Sequence, residues 1–149
     1  MRAINRIAGI FTTASFWLWT VQLLLAALYM FAGGFKVFGP AEMLQQGPTV
    51  LPLAFVRFIG YCEVAGALGL ILPTLLRIQP RLTPLAASGL VIIMIGATTL
   101  MLREGGVPAA IMPFVAGALA TFVAYGRTRL APVQARRAIR IATLTEQAA

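Results

Sequence analysis

The chain has 149 residues, 60% of them hydrophobic and 11% charged, with twelve Lys and Arg against four acids and a net charge of +8. A soluble domain is roughly 45–50% apolar and about 25% charged, so this composition excludes an ordinary water-soluble fold and predicts one membrane domain over residues 1–149. With no Asp, no His and one cysteine, Cys62, the chain alone offers no histidine-ligated metal or haem, no imidazole relay, no internal disulfide and no CxxC pair.

A bilayer core about 30 Å thick needs about 20 mostly apolar residues in a helix. Four stretches qualify, at about residues 16–35, 52–72, 82–102 and 107–125. The predicted fold is therefore an all-α integral membrane four-helix bundle. Turn residues separate the spans: Gly39-Pro40 and Gly47-Pro48 bracket the first connection, Pro73 closes the second helix, Gln79-Pro80 and Pro84 open the third, and Gly105-Gly106 with Pro108 open the fourth. Pro113 lies deeper in the fourth span and predicts a kink. The first apolar run exceeds the roughly 7–15 residues of a signal-peptide core, so it reads as a retained helix. The connection from Lys36 to Leu51 is the longest, and its Glu42, Met43 and Leu44 suit a membrane surface.

Basic residues sort by side. Arg2 and Arg6 precede the first span, Arg77 and Arg81 separate the second and third, and Arg127, Arg129, Arg136, Arg137 and Arg140 follow the fourth. Nine of the twelve fall on one face, which the positive-inside rule makes cytoplasmic, with both termini there. Trp17, Trp19 and Tyr125 sit near that interface, as amphipathic rings prefer. The expected location is the inner (plasma) membrane, multi-pass. The charge is a topology signal, and no basic patch on a soluble domain supports nucleic-acid binding. Residues 126–149 read as a basic cytoplasmic tail, and its part from 131 to 149 reads either as a short amphipathic helix on anionic lipid, with Arg136, Arg137 and Arg140 on one side, or as a solvated segment.

The remaining charges are Lys36, Arg57 and Arg103 with Glu42, Glu63 and Glu104. Arg103 and Glu104 occupy a short connection, and Lys36 reads as a side chain snorkelling to the outer interface. Glu63 lies roughly 16 Å below the outer end of its helix. An ionisable group there costs at least about 2.5–3.5 kcal/mol and demands a partner or a use. Arg57 is about 9 Å higher on the same helix and about 120° around it, with Gly60 midway, so Arg57, Gly60 and Glu63 would frame a notch. At equal depth the other spans offer Leu25, Val91, Ile92 and Gly117, none of them a hydrogen-bond partner. Glu63 is then either protonated or bound to water, a ligand or a reaching cation. It is the candidate catalytic residue, with a neutral Glu pinning two helices as the structural alternative. Tyr61 either presents its hydroxyl to this pocket or faces lipid, and Cys62 reads as packing. Small residues (Ala65, Gly69, Gly89, Gly96, Ala116, Gly117, Ala120) suit close helix approach and a homo-oligomer surface.

The run RFIGYCEVAGALGLILP, Arg57 to Pro73, with RIQPRLTPLAASGLVIIMIGA, Arg77 to Ala97, and with Gly34 and Lys36 at the end of the first span, resembles the DoxX-like membrane proteins. The resemblance covers roughly residues 17–125. It implies a four-helix inner-membrane protein whose Arg57, Gly60, Glu63 and Lys36 line a polar pocket. Some such relatives are subunits of quinone-reducing sulfur oxidoreductases, others support oxidative-stress complexes, and a distant animal branch assists receptor assembly. Many relatives carry a His near the outer end of the third helix, where this chain has Leu102-Arg103.

Three functions follow as expectations. The first is a redox-associated subunit that binds a quinone-like ligand, with no intrinsic cofactor and a membrane or redox protein partner. There Glu63 handles a proton, and Arg57 or Lys36 holds an anionic oxygen. The second is a scaffold or assembly factor in which Glu63 is structural. The third is a small proton-coupled carrier, which needs an oligomer.

Overall fold

The computed structural model describes residues 2–46, 51–76, 79 and 81–130, with side chains given from Ser15 to Arg129. The expectations for Gly47-Pro48, Arg77, Pro80 and the tail beyond residue 130 lie outside the described residues, as do those for the side chains of Arg2 and Arg6.

Among the described residues there are five α-helices: α1 (Arg2–Phe38), the short α2 (Ala41–Leu44), α3 (Leu53–Leu76), α4 (Leu82–Glu104) and α5 (Gly106–Tyr125). All but α2 are long and apolar enough to cross a membrane. A π-helical turn, Gly126–Leu130, prolongs α5. Prolines and glycines punctuate the chain for physical reasons. The Gly39 N–H bonds the Phe35 carbonyl at 2.7 Å, and Pro40, which has no N–H to continue the ladder, ends α1. Pro84 and Pro108 occupy first turns, where the missing donor has no intrahelical acceptor. Gly105 alone separates α4 from α5, and Gly106 takes the left-handed φ of 74° that the reversal requires.

Two boundaries differ from expectation. Pro73 does not close the second span: α3 runs through it to Leu76. The final turn is anchored from outside, by a 2.7 Å hydrogen bond between the Thr74 and Thr83 hydroxyls. The helical conformation also continues past both ends of the apolar counts, to Arg2 and to Leu130. Apolar counting marks where lipid begins, whereas an intrahelical ladder still satisfies backbone groups beyond it. Pro113 lies inside the unbroken α5.

The four long helices run up, down, up and down. Gln22 meets Leu70, Gly33 meets Glu63, and Gly60 meets Lys36, so rising numbers on α1 pair with falling numbers on α3. Gly69 against Ala86 and Gly117 against Met94 repeat the pattern for α3–α4 and α4–α5. The core is Leu25, Tyr29, Leu70, Leu90, Met94, Ala116, Ala120 and Val123 with their neighbours. Phe31, Leu24, Ile92 and Phe114 stand exposed on the outside, while Gln22, Glu63, Thr74, Thr83 and Arg127 are buried. Apolar outside and polar inside is the arrangement a bilayer selects, because lipid tails drive no hydrophobic burial between helices.

Close approach is what holds α1 on α3. A Cβ on Gly60 would fall 2.7 Å from the Lys36 Cβ, and one on Gly33 would fall 2.8 Å from the Gly60 carbonyl oxygen and 2.9 Å from the Glu63 Cβ. Gly89 and Gly96, expected to serve the same purpose, have nothing within 4 Å of the corresponding position. Gly60→Val should therefore push α1 off α3 and cost about 1–3 kcal/mol as an overpacked contact. Gly34→Ala, which enters open space, should leave stability unchanged or raise it by up to about 1 kcal/mol. Thermal unfolding in detergent micelles checks both, and equal midpoints for the two variants would contradict the crossing.

Candidate functional site

Glu63 is 1% exposed and faces α1. Its partner is Lys36: the ammonium Nζ donates to Oε1 at 2.8 Å and to Oε2 at 2.6 Å. The pair forms because α1 and α3 run in opposite directions. Side chains on a helix tilt toward its N-terminus, so Lys36 leans inward from the outer end of α1 and Glu63 leans outward from mid-helix. The two converge over the Gly33–Gly60 crossing. Lys36 thus does not snorkel outward, and the cation above Glu63 is Lys36 rather than Arg57.

The other expected site residues separate. Arg57 and Tyr61, one helical turn apart, are both exposed on an outer face of α3. Neither lines the cavity described next. Gly60 is buried and serves the site indirectly, by admitting the Lys36 Cβ. The notch read from Arg57, Gly60 and Glu63 does not form, because α1 fills the face that Gly60 presents. Cys62, read as packing, stands in the cavity wall beside Glu63.

The cavity encloses about 890 Å³ between α1, α3 and α4, with one residue of α5. Its walls are apolar: Leu28, Phe35, Val56, Ile59, Ile93 and Leu100 are representative, and Lys36 and Glu63 are the charged groups in them. Met43 and Leu44 of α2 close its outer end. Phe31, Phe58 and Ile92, all strongly exposed, form its rim, so it opens sideways, where lipid lies. An apolar pocket with a few convergent polar groups is the usual form of a small-molecule site.

A second polar node lies about 21 Å nearer the N-terminus of α1 than Lys36. The Gln22 Nε2 donates to the Leu70 carbonyl at 2.6 Å, and its Oε1 accepts from the Arg127 Nε at 2.5 Å. The guanidinium stacks over Trp19, 5.3 Å from the ring centroid, a cation–π geometry. The Arg127 Nη2 is enclosed without a hydrogen-bond partner. Gly126 lets this turn close on α1, since a Cβ there would collide with Leu18. Arg127, which the charge pattern places on the cytoplasmic face as a topology signal, is instead 5% exposed within the bundle. The signal that could have found it was Gln22, an uncharged polar residue inside the first span with nothing assigned to satisfy it.

Breaking a buried pair by removing one partner costs about 3–5 kcal/mol, whereas replacing both partners by apolar groups is often neutral. Lys36→Met should therefore destabilise the chain by several times as much as Lys36→Met/Glu63→Leu, as read from unfolding midpoints in detergent. Similar midpoints for the single and double variants would mean that the pair carries no coupling. Gln22→Leu leaves the buried Arg127 Nε without its partner and removes the side-chain bond to the Leu70 carbonyl, and should cost about 1–3 kcal/mol in the same assay.

The DoxX-like family model matches residues 20–123, an interval that holds Lys36, Glu63 and the whole cavity and stops before Arg127. No curated protein and no solved structure matches the chain. A match over more than half of the length, on four helices able to cross a bilayer, makes this chain a member of the DoxX-like family.

Proposed function

We propose that the chain binds a small lipophilic molecule of quinone-like chemistry at the Lys36–Glu63 pair, as the membrane subunit of a redox assembly. One observation carries this reading: a carboxylate and an ammonium, paired at 2.6 and 2.8 Å, stand in the wall of an otherwise apolar cavity that opens toward lipid. An ammonium has three N–H donors, and Glu63 takes two of them. The third is available to a carbonyl oxygen. A neutral carbonyl ligand can take it without displacing Glu63, whereas a carboxylate ligand would compete with Glu63 for the same cation. A ring flanked by Phe35, Ile59 and Ile93 would keep its hydrocarbon tail in the bilayer through the Phe31–Ile92 rim.

Quinone reduction consumes two electrons and two protons. Glu63, once protonated from water, gives one proton to one ligand oxygen and returns to carboxylate. Water gives the second proton to the other oxygen, and Lys36 stabilises the developing negative oxygen. Quinol oxidation runs the same transfers in reverse. Electrons come from a redox protein partner. Both termini lie on the cytoplasmic side of the inner membrane in this reading, as the distribution of arginines favours.

The test is titration of the purified protein with a short-chain ubiquinone analogue. Glu63→Gln should weaken binding by about tenfold, the equivalent of one charge-assisted contact of about 1.4 kcal/mol. Tyr61→Phe and Arg57→Gln should leave it within about twofold, because those side chains point elsewhere. Unchanged affinity in Glu63→Gln would sink the proton role. No binding by the wild type, together with co-purification of a defined membrane protein, would favour the scaffold reading.

A further inference from the structure

We infer that Glu63 exchanges protons with one face of the membrane only, the face that carries the connection between α1 and α3, and not with the face where α1 begins. The inference deepens the reading of Glu63 as a proton-carrying group and gives that group a side.

Toward the connection, the distance is short and a polar group spans it. Lys36 stands two residues from the end of α1, and its side chain is 30% exposed against 2% for Glu63. The Lys36 side chain is therefore the part of the pair that reaches the surface of the bundle, close to the connection. A hydrated ion arriving there protonates the carboxylate, Lys36 keeps its charge, and the released water returns by the same mouth. Glu42 on α2 and Arg103 and Glu104 at the end of α4 are exposed, so the titratable groups around that end stand in solvent.

Toward the other face, the bundle is closed. Leu25, Ala67, Leu70 and Leu90 are each at most 1% exposed and pack as one cluster. Tyr29 lies in that cluster and its hydroxyl has no partner. Proton transfer along a chain of groups needs oxygen or nitrogen atoms at hydrogen-bond spacing, about 3 Å. Tyr29 lies one turn from Gly33, which packs against the Glu63 Cβ, so it is the first polar group inward of the carboxylate. The next on α1, Gln22, is seven residues and about 10 Å of helix further on. Gln22 in turn has its Nε2 on Leu70 and its Oε1 on Arg127. The groups that face Glu63 across the cavity from α4 are Ile92, Ile93, Gly96 and Ala97, and from α5 Met112, none of them titratable. On α3 itself, Cys62 shares the cavity wall and Arg57 points outward. Among the described residues no polar group bridges the packed segment between Tyr29 and Gln22. A ligand that surrendered a proton to Glu63 would thereby release it on the connection side, whichever face its electrons left by.

The test uses the full chain in vesicles of one orientation, with the pH changed on one side at a time. The readout is the infrared stretch of the protonated Glu63 carboxyl, assigned by its loss in Glu63→Gln. Isotopic labelling of glutamate assigns it if that variant does not fold. The band should follow the pH of the connection side and ignore the other. Leu25→Ser, which puts a hydroxyl and room for water in the packed segment, should make the band respond to both sides. A band that follows the α1-start side, that follows both sides equally in the wild type, or that titrates from neither side would overturn the inference. No ligand enters this experiment, so its outcome stands apart from quinone titration: one-sided titration with no quinone binding would leave the sidedness intact and remove the ligand.

Discussion

One ion pair between antiparallel helices sets the terms for the rest of this molecule. A carboxylate near mid-bilayer is expensive in isolation, and the bond from Lys36 is what makes it tolerable. The pair needs two things from the fold. The helices must run in opposite directions, so that both side chains lean toward a common level, and their backbones must approach closely. Gly33 and Gly60 provide that approach, since a Cβ on either would intrude on the other helix. The same crossing that packs the bundle therefore also sets the geometry of the charges.

The pair also explains why a cavity sits where it does. A buried ion pair gains little over well-packed apolar residues of similar volume, so stability alone gives a weak reason to keep one. Here the pair borders a cavity of about 890 Å³ that opens at the side of the bundle. The charges thus stand where another molecule can reach them, which a pair that only stapled two helices would not need.

Much of the fold was legible in the sequence, because its signals are one-dimensional. Runs of apolar residues gave the four spans, and Gly-Pro pairs gave their separations. What escaped depended on the register between helices. Counting from span ends sets Glu63 level with Leu25 on α1, whereas the crossing sets it beside Gly33, within reach of Lys36. Arg57 was favoured because it shares a helix with Glu63, but α1 occupies the face between them. Arg127 was lost for a different reason. Topology rules treat arginines outside the apolar run as interchangeable, and only the contact with Gln22 and Trp19 distinguishes it from Arg129, which is exposed.

The two polar nodes on α1 divide the labour of the bundle. At one, Gln22 spends its amide on Leu70 and its carbonyl on Arg127, and the guanidinium lies against Trp19. That node fastens α1 to α3 and to the end of α5, and it is enclosed. At the other, Glu63 is enclosed but Lys36 is not, and the ammonium retains a donor beside a cavity. The unpartnered group of the Gln22–Arg127 node, the Arg127 Nη2, is enclosed and meets nothing, so that node can only hold helices together. The Lys36–Glu63 pair instead borders an apolar cavity that opens at the side of the bundle, where a donor left over can meet another molecule. What separates the two nodes is therefore access rather than hydrogen-bonding capacity, and the enclosed one supplies the rigidity that keeps Lys36 and Glu63 in register.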